Sequence, residues 1–291
     1  MFAGSMVAIV TPFVDGTVDK EALRGLVEFH LQHGTDAIVP CGTTGESATL
    51  SHAEHDMVVE LVVEAVNGRV PVIAGAGSNN TSEAVRLTRH AKDAGADGAL
   101  LITPYYNKPT QEGLYQHFST VASKVEIPMV LYNVPSRTST DMLPETVARL
   151  AKIPHIVGIK EATGCMSRAS DIIASCGPDF FLISGDDGTF FPLLCVGGKG
   201  VISVTANIVP DLMASLYDSF VGGDIVAARD LHYRLQKLIK TMFIETNPVP
   251  VKESLVMMGK VQAGLRLPLC PLGDANRKTL RTVLEEYGLL S

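Results

Sequence analysis

IVGIKEA, at residues 156–162, is the stretch from which the fold is inferred. Apolar residues occupy both of its alternating faces, a pattern typical of a strand that is covered on both sides. Strands of that kind belong to parallel sheets, whose two faces pack under helices. The stretch therefore predicts one strand of a buried parallel sheet, and Lys160 is its only cation.

Seven further strand-like segments occur along the chain, separated by helix-like stretches with apolar residues three and four positions apart. Ser51 and Glu54 form a capping-box pattern that is expected to open the second helix. Eight strand–helix units within about 220 residues predict a (β/α)8 TIM barrel over residues 1–223, with a doubly wound sheet as the alternative. Residues 224–291 have a helical pattern and predict a C-terminal helical extension packed on the barrel. The strand-like segments are residues 5–12, 37–42, 70–77, 98–104, 128–135, 156–162, 180–186 and 200–206.

Lys160 is the candidate catalytic residue. Period-two alternation places Gly158 and Ala162 on its face of the strand, so we expect small neighbours and room for a ligand beside the amine. Burial lowers the pKa of a lysine, and a neutral amine can attack a ketone and form a Schiff base. The alternative is a structural lysine whose side chain extends from the strand end to water.

Polar motifs follow the predicted strands where a barrel carries its active site, at the carboxyl ends. GTTGE, at residues 42–46, offers hydroxyls and backbone amides to a carboxylate or phosphate, or is a plain glycine turn. Tyr132 lies in a predicted strand that ends at the same face of the barrel as the strand of Lys160. It is either a proton-transfer group or a core tyrosine. Arg137 lies in a loop and could bind a carboxylate through two parallel hydrogen bonds; the alternative is an ordinary surface arginine.

Composition and charge exclude several classes of function. The 291 residues are 46% hydrophobic and carry a formal net charge of -7, without a basic block, so neither nucleic acid nor an anionic membrane is an expected partner. No apolar run reaches the ~18 residues of a membrane span, and no signal peptide is expected. The five cysteines lack a CxxC pattern, which predicts reduced thiols in the cytoplasm. HAEH, at residues 52–55, lacks the HExxH spacing, so no metal site is predicted.

Five motifs carry a family resemblance. GTTGE, TPYYN, YNVPSRT, GIKEAT and GVISVTAN, in this order and spacing, resemble the dihydrodipicolinate synthase family over essentially the whole chain. GIKEAT and GTTGE belong to the wider pyruvate-dependent class I aldolase superfamily. YNVPSRT is more selective, because the similar N-acetylneuraminate lyases lack an arginine at that loop position.

The resemblance implies a (β/α)8 barrel and a homotetramer built as a dimer of dimers. It also implies condensation of pyruvate with L-aspartate 4-semialdehyde, on the route to diaminopimelate and lysine, without a metal or organic cofactor. Carried over by position, it makes Lys160 the Schiff-base lysine and makes Thr43, Tyr132 and Tyr106 a proton relay. Tyr106 is expected to reach the neighbouring subunit's site across the dimer interface.

The resemblance also implies the substrate-binding residues. Thr44 is expected to hold the pyruvate carboxylate and Arg137 the carboxylate of the semialdehyde, while Gly185 and the backbone of Ile202 line the pocket. Ser139 stands where the family usually has glycine after SRT, and Thr140 follows it, so the loop beside Arg137 departs from the family pattern.

Feedback inhibition by L-lysine is implied by a separate set of residues. These positions carry the residue types found in lysine-inhibited members of the family. The predicted effector residues are Ser47, Ala48, His52, His55, Asn79, Glu83 and Tyr105.

Two rival functions stay open at this point. An N-acetylneuraminate or keto-sugar-acid aldolase would share the first half of the reaction, but Arg137 argues against it. A non-catalytic small-molecule binding protein could keep the same barrel, because fold alone does not fix function. A binder, however, has no need for the lysine, the threonines and the tyrosines together.

Overall fold

Ten strands are present in the computed structural model, which describes residues 2–290. Eight of them are parallel and form the barrel, and the remaining two form a short antiparallel hairpin after the first barrel strand. The barrel strands are β1 (Gly4–Ala8), β4 (Ala37–Val39), β5 (Ile73–Gly75), β6 (Gly98–Ile102), β7 (Met129–Asn133), β8 (Ile156–Glu161), β9 (Phe181–Ser184) and β10 (Gly200–Ser203), and the hairpin is β2 (Phe13–Val14) with β3 (Thr17–Val18).

The barrel strands pair in the order β4-β1-β10-β9-β8-β7-β6-β5. A parallel bridge between Ile38 and Val72 joins the two ends of this order and closes the ring. Each of the eight predicted segments overlaps a barrel strand, so the (β/α)8 prediction is confirmed and the doubly wound alternative is wrong.

Twelve α-helices lie among residues 2–290: two follow the fifth barrel strand, four follow the eighth, and one follows each of the other six. Ser51 and Glu54 form the predicted capping box at the start of the second helix. The helices are α1 (Lys20–Gln32), α2 (His52–Val66), α3 (Thr81–Asp93), α4 (Gln111–Lys124), α5 (Pro135–Thr138), α6 (Pro144–Leu150), α7 (Met166–Cys176), α8 (Phe190–Cys195), α9 (Pro210–Val221), α10 (Ile225–Thr241), α11 (Val249–Met257) and α12 (Asp274–Glu286).

The barrel interior is filled by side chains that alternate along the strands. They form a buried apolar layer, since inward-facing positions recur with period two. This layer closes the barrel below the site, so a ligand can enter only at the carboxyl ends of the strands. Its members include Met6, Val39, Ile73, Leu100, Val130, Ile183 and Ile202.

Helices α10–α12 form the predicted C-terminal segment and begin after the Gly222–Gly223 pair, with Asp224 capping α10. Their buried side chains, such as Leu238 and Leu255, join the same apolar cluster as Val7 of β1 and Leu23 of α1. The extension therefore packs on the barrel, and the division at residue 223 stays a prediction. Among residues 2–290, no helix combines the length and the hydropathy that a membrane span requires.

Candidate active site

A cavity of about 200 Å³ opens at the carboxyl ends of the barrel strands. Barrel geometry predicts the site at this face, because the loops that follow the strands converge there. Most of the predicted catalytic and substrate-binding residues line it. They are Thr43, Thr44, Tyr132, Arg137, Lys160 and Gly185.

Lys160 enters the cavity from β8. The register of the sheet places it beside Tyr132 of β7 on one side and Ile183 of β9 on the other. Its Nζ lies 4.4 Å from the centre of the Tyr132 ring, and 6% of the residue is exposed. The predicted strand buried on both faces is therefore confirmed, and the side chain does not reach bulk water.

Burial is the main influence on the amine, and it lowers the pKa of Lys160 to about 8. The carboxylate of Asp187 opposes this effect, whereas the positive charge of Arg137 lowers the pKa further. With a pKa of about 8, roughly a tenth of the amine is neutral at pH 7, compared with less than about a thousandth for an ordinary lysine. The site thus contains an amine that can act as a nucleophile near neutral pH.

The space beside the amine comes from Gly185. A Cβ at Gly185 would lie 3.1 Å from Lys160 Cε and 2.6 Å from Ala162 Cβ, so no side chain fits there. The expectation that Gly158 also leaves room is wrong. Gly158 pairs with Phe181 in the sheet, and a Cβ there would lie 2.4 Å from the Phe181 ring, which already fills that space.

Tyr132 is buried beside the amine, and burial raises the pKa of its phenol. The charge of Arg137 and a hydrogen bond with the Thr43 hydroxyl oppose that increase. Thr43 belongs to the GTTGE turn after β4, where the amide of Glu46 donates to the Thr43 carbonyl. The turn therefore fixes the threonine against the phenol, and the two hydroxyls can pass a proton between them.

Arg137 is held on α5, the short helix that follows β7. One guanidinium nitrogen of Arg137 donates to the main-chain carbonyl of Asn247 at 3.2 Å. Ser139 ends α5 with a φ of 54°, in the left-handed region that favours glycine, which explains why a glycine suits this position in the family. Arg137 nevertheless lines the cavity, as expected for a group that binds a second substrate.

Two predicted site residues lie outside the cavity of this chain. Tyr106 is 90% exposed, with a left-handed φ of 72°, and Ile202 is buried in the apolar layer within the barrel. The chain by itself therefore does not bring Tyr106 to Lys160. Its role in the relay stays a prediction that requires a second subunit.

The predicted effector residues cluster outside the cavity, where α2, α3 and the loop after β6 meet. His52 Nε2 lies 2.7 Å from Glu83 Oε1, and Asn79 Nδ2 donates to the Tyr105 carbonyl at 3.1 Å. Hydrogen bonds from Ser78 and His52 lower the pKa of Glu83, so its carboxylate is charged near neutral pH. This cluster offers a negative charge and exposed polar groups in one place.

The other predicted effector residues differ in exposure. Ser47 and Ala48 form part of a one-turn 3-10 helix just before α2, where Ser47 is partly accessible and Ala48 is exposed. His55 is buried, and its Nε2 lies 2.9 Å from the Gly75 carbonyl. His55 thus faces the strand end, whereas His52 faces outward.

Sequence reasoning missed three residues around the amine. Phe243 and Asn247 line the cavity from the segment between α10 and α11. Asp187 is buried and accepts hydrogen bonds from the Thr205 amide at 2.8 Å and the Thr205 hydroxyl at 2.6 Å. The predicted strand at residues 180–186 ends just before Asp187, but no sequence signal marked Phe243 or Asn247.

Comparison with known proteins assigns the family. The family model described as the dihydrodipicolinate synthetase family matches residues 1–287. The chain belongs to this family. A 4-hydroxy-tetrahydrodipicolinate synthase from Syntrophobacter fumaroxidans is 62% identical over 291 residues, with 100% of each chain covered. The predicted family and the predicted lyase class are confirmed.

Two solved structures are similar over the full length. The chloride-inhibited dihydrodipicolinate synthase from Acinetobacter baumannii, complexed with pyruvate, has a TM-score of 0.98 and 48% identity, with 100% of each chain covered. The enzyme from Cyanidioschyzon merolae, with lysine bound, has a TM-score of 0.96 and 39% identity, with 99% of each chain covered. These family members thus include one that binds pyruvate and one that binds lysine.

Proposed function

We propose that this cavity condenses pyruvate with L-aspartate 4-semialdehyde, and that Lys160 is the nucleophile. The observation that carries the proposal is a buried lysine, with a pKa lowered to about 8, at the base of a cavity that Arg137 also lines. A neutral amine is needed for the ketone, and a fixed cation suits a substrate carboxylate. The 62% identity to a 4-hydroxy-tetrahydrodipicolinate synthase supports the same reaction.

The first half-reaction takes place at Lys160. Neutral Nζ attacks the pyruvate ketone, and the tetrahedral adduct loses water to give a protonated imine. The hydroxyls of Tyr132 and Thr43 carry the protons between nitrogen and the departing oxygen. Thr44 holds the pyruvate carboxylate, and Gly185 leaves space for the adduct.

The second half-reaction uses the imine as an electron sink. A methyl proton leaves, and the resulting enamine carbon attacks the aldehyde carbon of the semialdehyde. The substrate's own amine then displaces Lys160 by transimination and closes the ring. No metal or organic cofactor is proposed, because the imine itself provides the electrophilic chemistry. Arg137 binds the carboxylate of the semialdehyde and thereby selects the second substrate.

A coupled assay with both substrates tests this function. We expect turnover with pyruvate and L-aspartate 4-semialdehyde, and none with pyruvate and N-acetylmannosamine. Arg137→Ala should retain imine formation with pyruvate but lose about 2–4 kcal/mol of transition-state stabilisation with the semialdehyde. Turnover of the sugar, or unchanged semialdehyde kinetics in Arg137→Ala, would favour the sugar-acid aldolase instead.

We infer that the active form is a homotetramer built as a dimer of dimers, in which Tyr106 completes the neighbour's relay. The exposure of Tyr106 supports this, because a phenol that does not line its own cavity and is 90% exposed is free to reach the site of a second subunit. Mixing Lys160→Ala with Tyr106→Phe subunits should restore one intact site per mixed dimer. Subunit exchange without recovered activity would contradict a shared site.

We infer that L-lysine inhibits the enzyme at the predicted effector residues. The carboxylate of Glu83 can bind the ligand ammonium, and His52 lies beside it on the same exposed surface. Inhibition by millimolar lysine should weaken in Glu83→Ala and in His52→Ala. Glu60→Ala is the matched control, because it breaks a similar pair with His90 on the same two helices. Equal inhibition in all four proteins would refute the assignment.

We also infer a cytoplasmic location. All five cysteines are free in the described residues, and Cys41 is buried, which suits a reducing compartment. Cell fractionation with an antibody against the chain would test it, and recovery in a secreted fraction would contradict it.

A further inference from the structure

Asn247 belongs to the cavity wall but has no role in the reaction described so far. It lies between α10 and α11, in the C-terminal extension rather than in a barrel loop, and 5% of the residue is exposed. Its sequence context, NPVP at residues 247–250, predicts only a turn. The position of its side chain therefore carries information that the sequence pattern does not.

Two contacts connect Asn247 to the groups that bind carboxylates. Its Nδ2 donates to Thr44 Oγ1 at 3.0 Å, in a buried hydrogen bond. Its main-chain carbonyl accepts from the Arg137 guanidinium at 3.2 Å. One residue thus touches both the threonine proposed for pyruvate and the arginine proposed for the semialdehyde.

The direction of the Thr44 hydrogen bond has a chemical consequence. A hydroxyl has one hydrogen and two lone pairs. Because Asn247 donates to Thr44 Oγ1, one lone pair is occupied and the hydroxyl hydrogen stays available for the cavity. A carboxylate can only accept hydrogen bonds, so this arrangement leaves Thr44 as a donor to it.

We propose that Asn247 is a positioning residue that joins the two substrate subsites. Its side chain orients the Thr44 hydroxyl toward the pyruvate carboxylate, and its main chain holds Arg137 at the entrance for the second carboxylate. The inference rests on the function proposed above. It makes the C-terminal extension part of the active site, since the extension provides a contact to both substrate-binding residues.

Asn247→Ala and Asn247→Asp test the orientation of Thr44. The pyruvate concentration that half-saturates borohydride trapping should rise roughly tenfold in Asn247→Ala, which loses one hydrogen bond. It should rise further in Asn247→Asp, because the new carboxylate takes the Thr44 hydrogen for itself. The KM for the semialdehyde should change less in Asn247→Ala, since the main-chain carbonyl remains. A purely structural residue would instead tolerate the isosteric Asp better than Ala.

A double-mutant cycle with Thr44→Val completes the test. Adding Asn247→Ala to Thr44→Val should change pyruvate half-saturation less than twofold, since the oriented hydroxyl is already absent. Asn276→Ala is the matched control, because its amide binds Glu245 in the same extension without touching Thr44 or Arg137. Wild-type half-saturation in both Asn247 variants, or additive effects with Thr44→Val, would overturn the inference alone. Failure of the wild type to trap pyruvate would instead overturn the proposed function.

Discussion

Lys160 and Lys252 are both buried lysines near the carboxyl ends of the strands, but they differ in their surroundings. Lys252 of α11 is 3% exposed, and its Nζ lies 2.5 Å from Glu46 Oε1. Lys160 forms no ion pair with any of residues 2–290, and its amine faces a cavity. Burial lowers the pKa of both, but in Lys252 the adjacent carboxylate of Glu46 opposes the change through both its charge and a hydrogen bond.

From this difference we expect Lys160 to be the reactive lysine and Lys252 to be a structural one. A paired ammonium keeps its proton, because the partner's charge offsets much of the cost of burial. An unpaired amine releases its proton more readily and can act as a nucleophile. Burial alone is therefore not a sign of catalysis, and the deciding feature is that the amine faces a cavity and forms no ion pair with any described residue.

The largest expected effect is on activity. Lys160→Met should lose at least about a thousandfold in kcat/KM, because no other group supplies the imine nitrogen. Lys160→Arg should be little better, since a guanidinium stays protonated. Folded Lys252→Met should still form the imine with pyruvate. The measurement is a coupled assay alongside circular dichroism, and an active Lys160→Met would remove the distinction between the two lysines.

The second effect is on stability. Lys252→Met leaves the carboxylate of Glu46 buried without its partner, and we expect a loss of about 3–5 kcal/mol in the free energy of unfolding. Combining it with Glu46→Gln should recover most of that loss, because the uncompensated charge is then gone. Urea unfolding followed by fluorescence and circular dichroism measures both. If the free energy of unfolding of Lys252→Met alone lies within about 1 kcal/mol of the wild-type value, the ion pair does not stabilise the fold.

The third effect is a gain in stability, whereas the loss of Lys252 is expected to lower it. At pH 7 Lys160 is mostly charged in both the folded and the unfolded chain, and burial penalises only the folded one. Lys160→Met should therefore stabilise the fold by about 3 kcal/mol, taking 1.36 kcal/mol per pKa unit for a pKa lowered to about 8. As the pH rises above about 8, the folded lysine loses its proton first, so wild-type stability rises and the gap to the variant narrows. Unfolding free energies at pH 7 and pH 9.5 check this, and a gap that widens would contradict it.

The smallest expected effect concerns Asp187. Its carboxylate raises the pKa of Lys160, so Asp187→Asn should lower that pKa and move the pH profile of imine formation toward lower pH. Asp186→Asn is the matched control, because Asp186 is the adjacent carboxylate and lines the cavity, but it accepts from the Gly188 amide and is not among the charges that shift the pKa of Lys160. The profile of borohydride trapping against pH measures the shift. A shift to higher pH, or the same shift in both variants, would exclude this role.

The barrel and one half of the site could be predicted from the sequence because their signals are local. Each strand and the polar run after it are continuous in sequence, so GTTGE, Tyr132, Arg137 and Lys160 could be assigned to the strand ends before any contact was known. The effector cluster was found only through family resemblance, and its role stays a prediction.

The other half of the site could not be predicted, because it depends on contacts between distant parts of the chain. Asn247 meets Thr44 across 203 positions, and Lys252 meets Glu46 across 206. The prediction that Gly158 leaves room beside the Lys160 amine was wrong for a related reason. Only the pairing of Gly158 with Phe181 in the sheet shows that this space is filled. The alternation of residues along a strand predicts which face of the sheet a side chain lies on, but it does not predict which residue that side chain contacts.

Mapping the pyruvate adduct tests the central claim most directly. The chain is incubated with pyruvate, reduced with borohydride, digested and analysed by mass spectrometry, with unreduced protein as the control. The account predicts one adduct per chain, on Lys160, with labelling that increases with pH through about 8, and none on Lys252. An adduct on Lys252, or no adduct on Lys160 at saturating pyruvate, would contradict it.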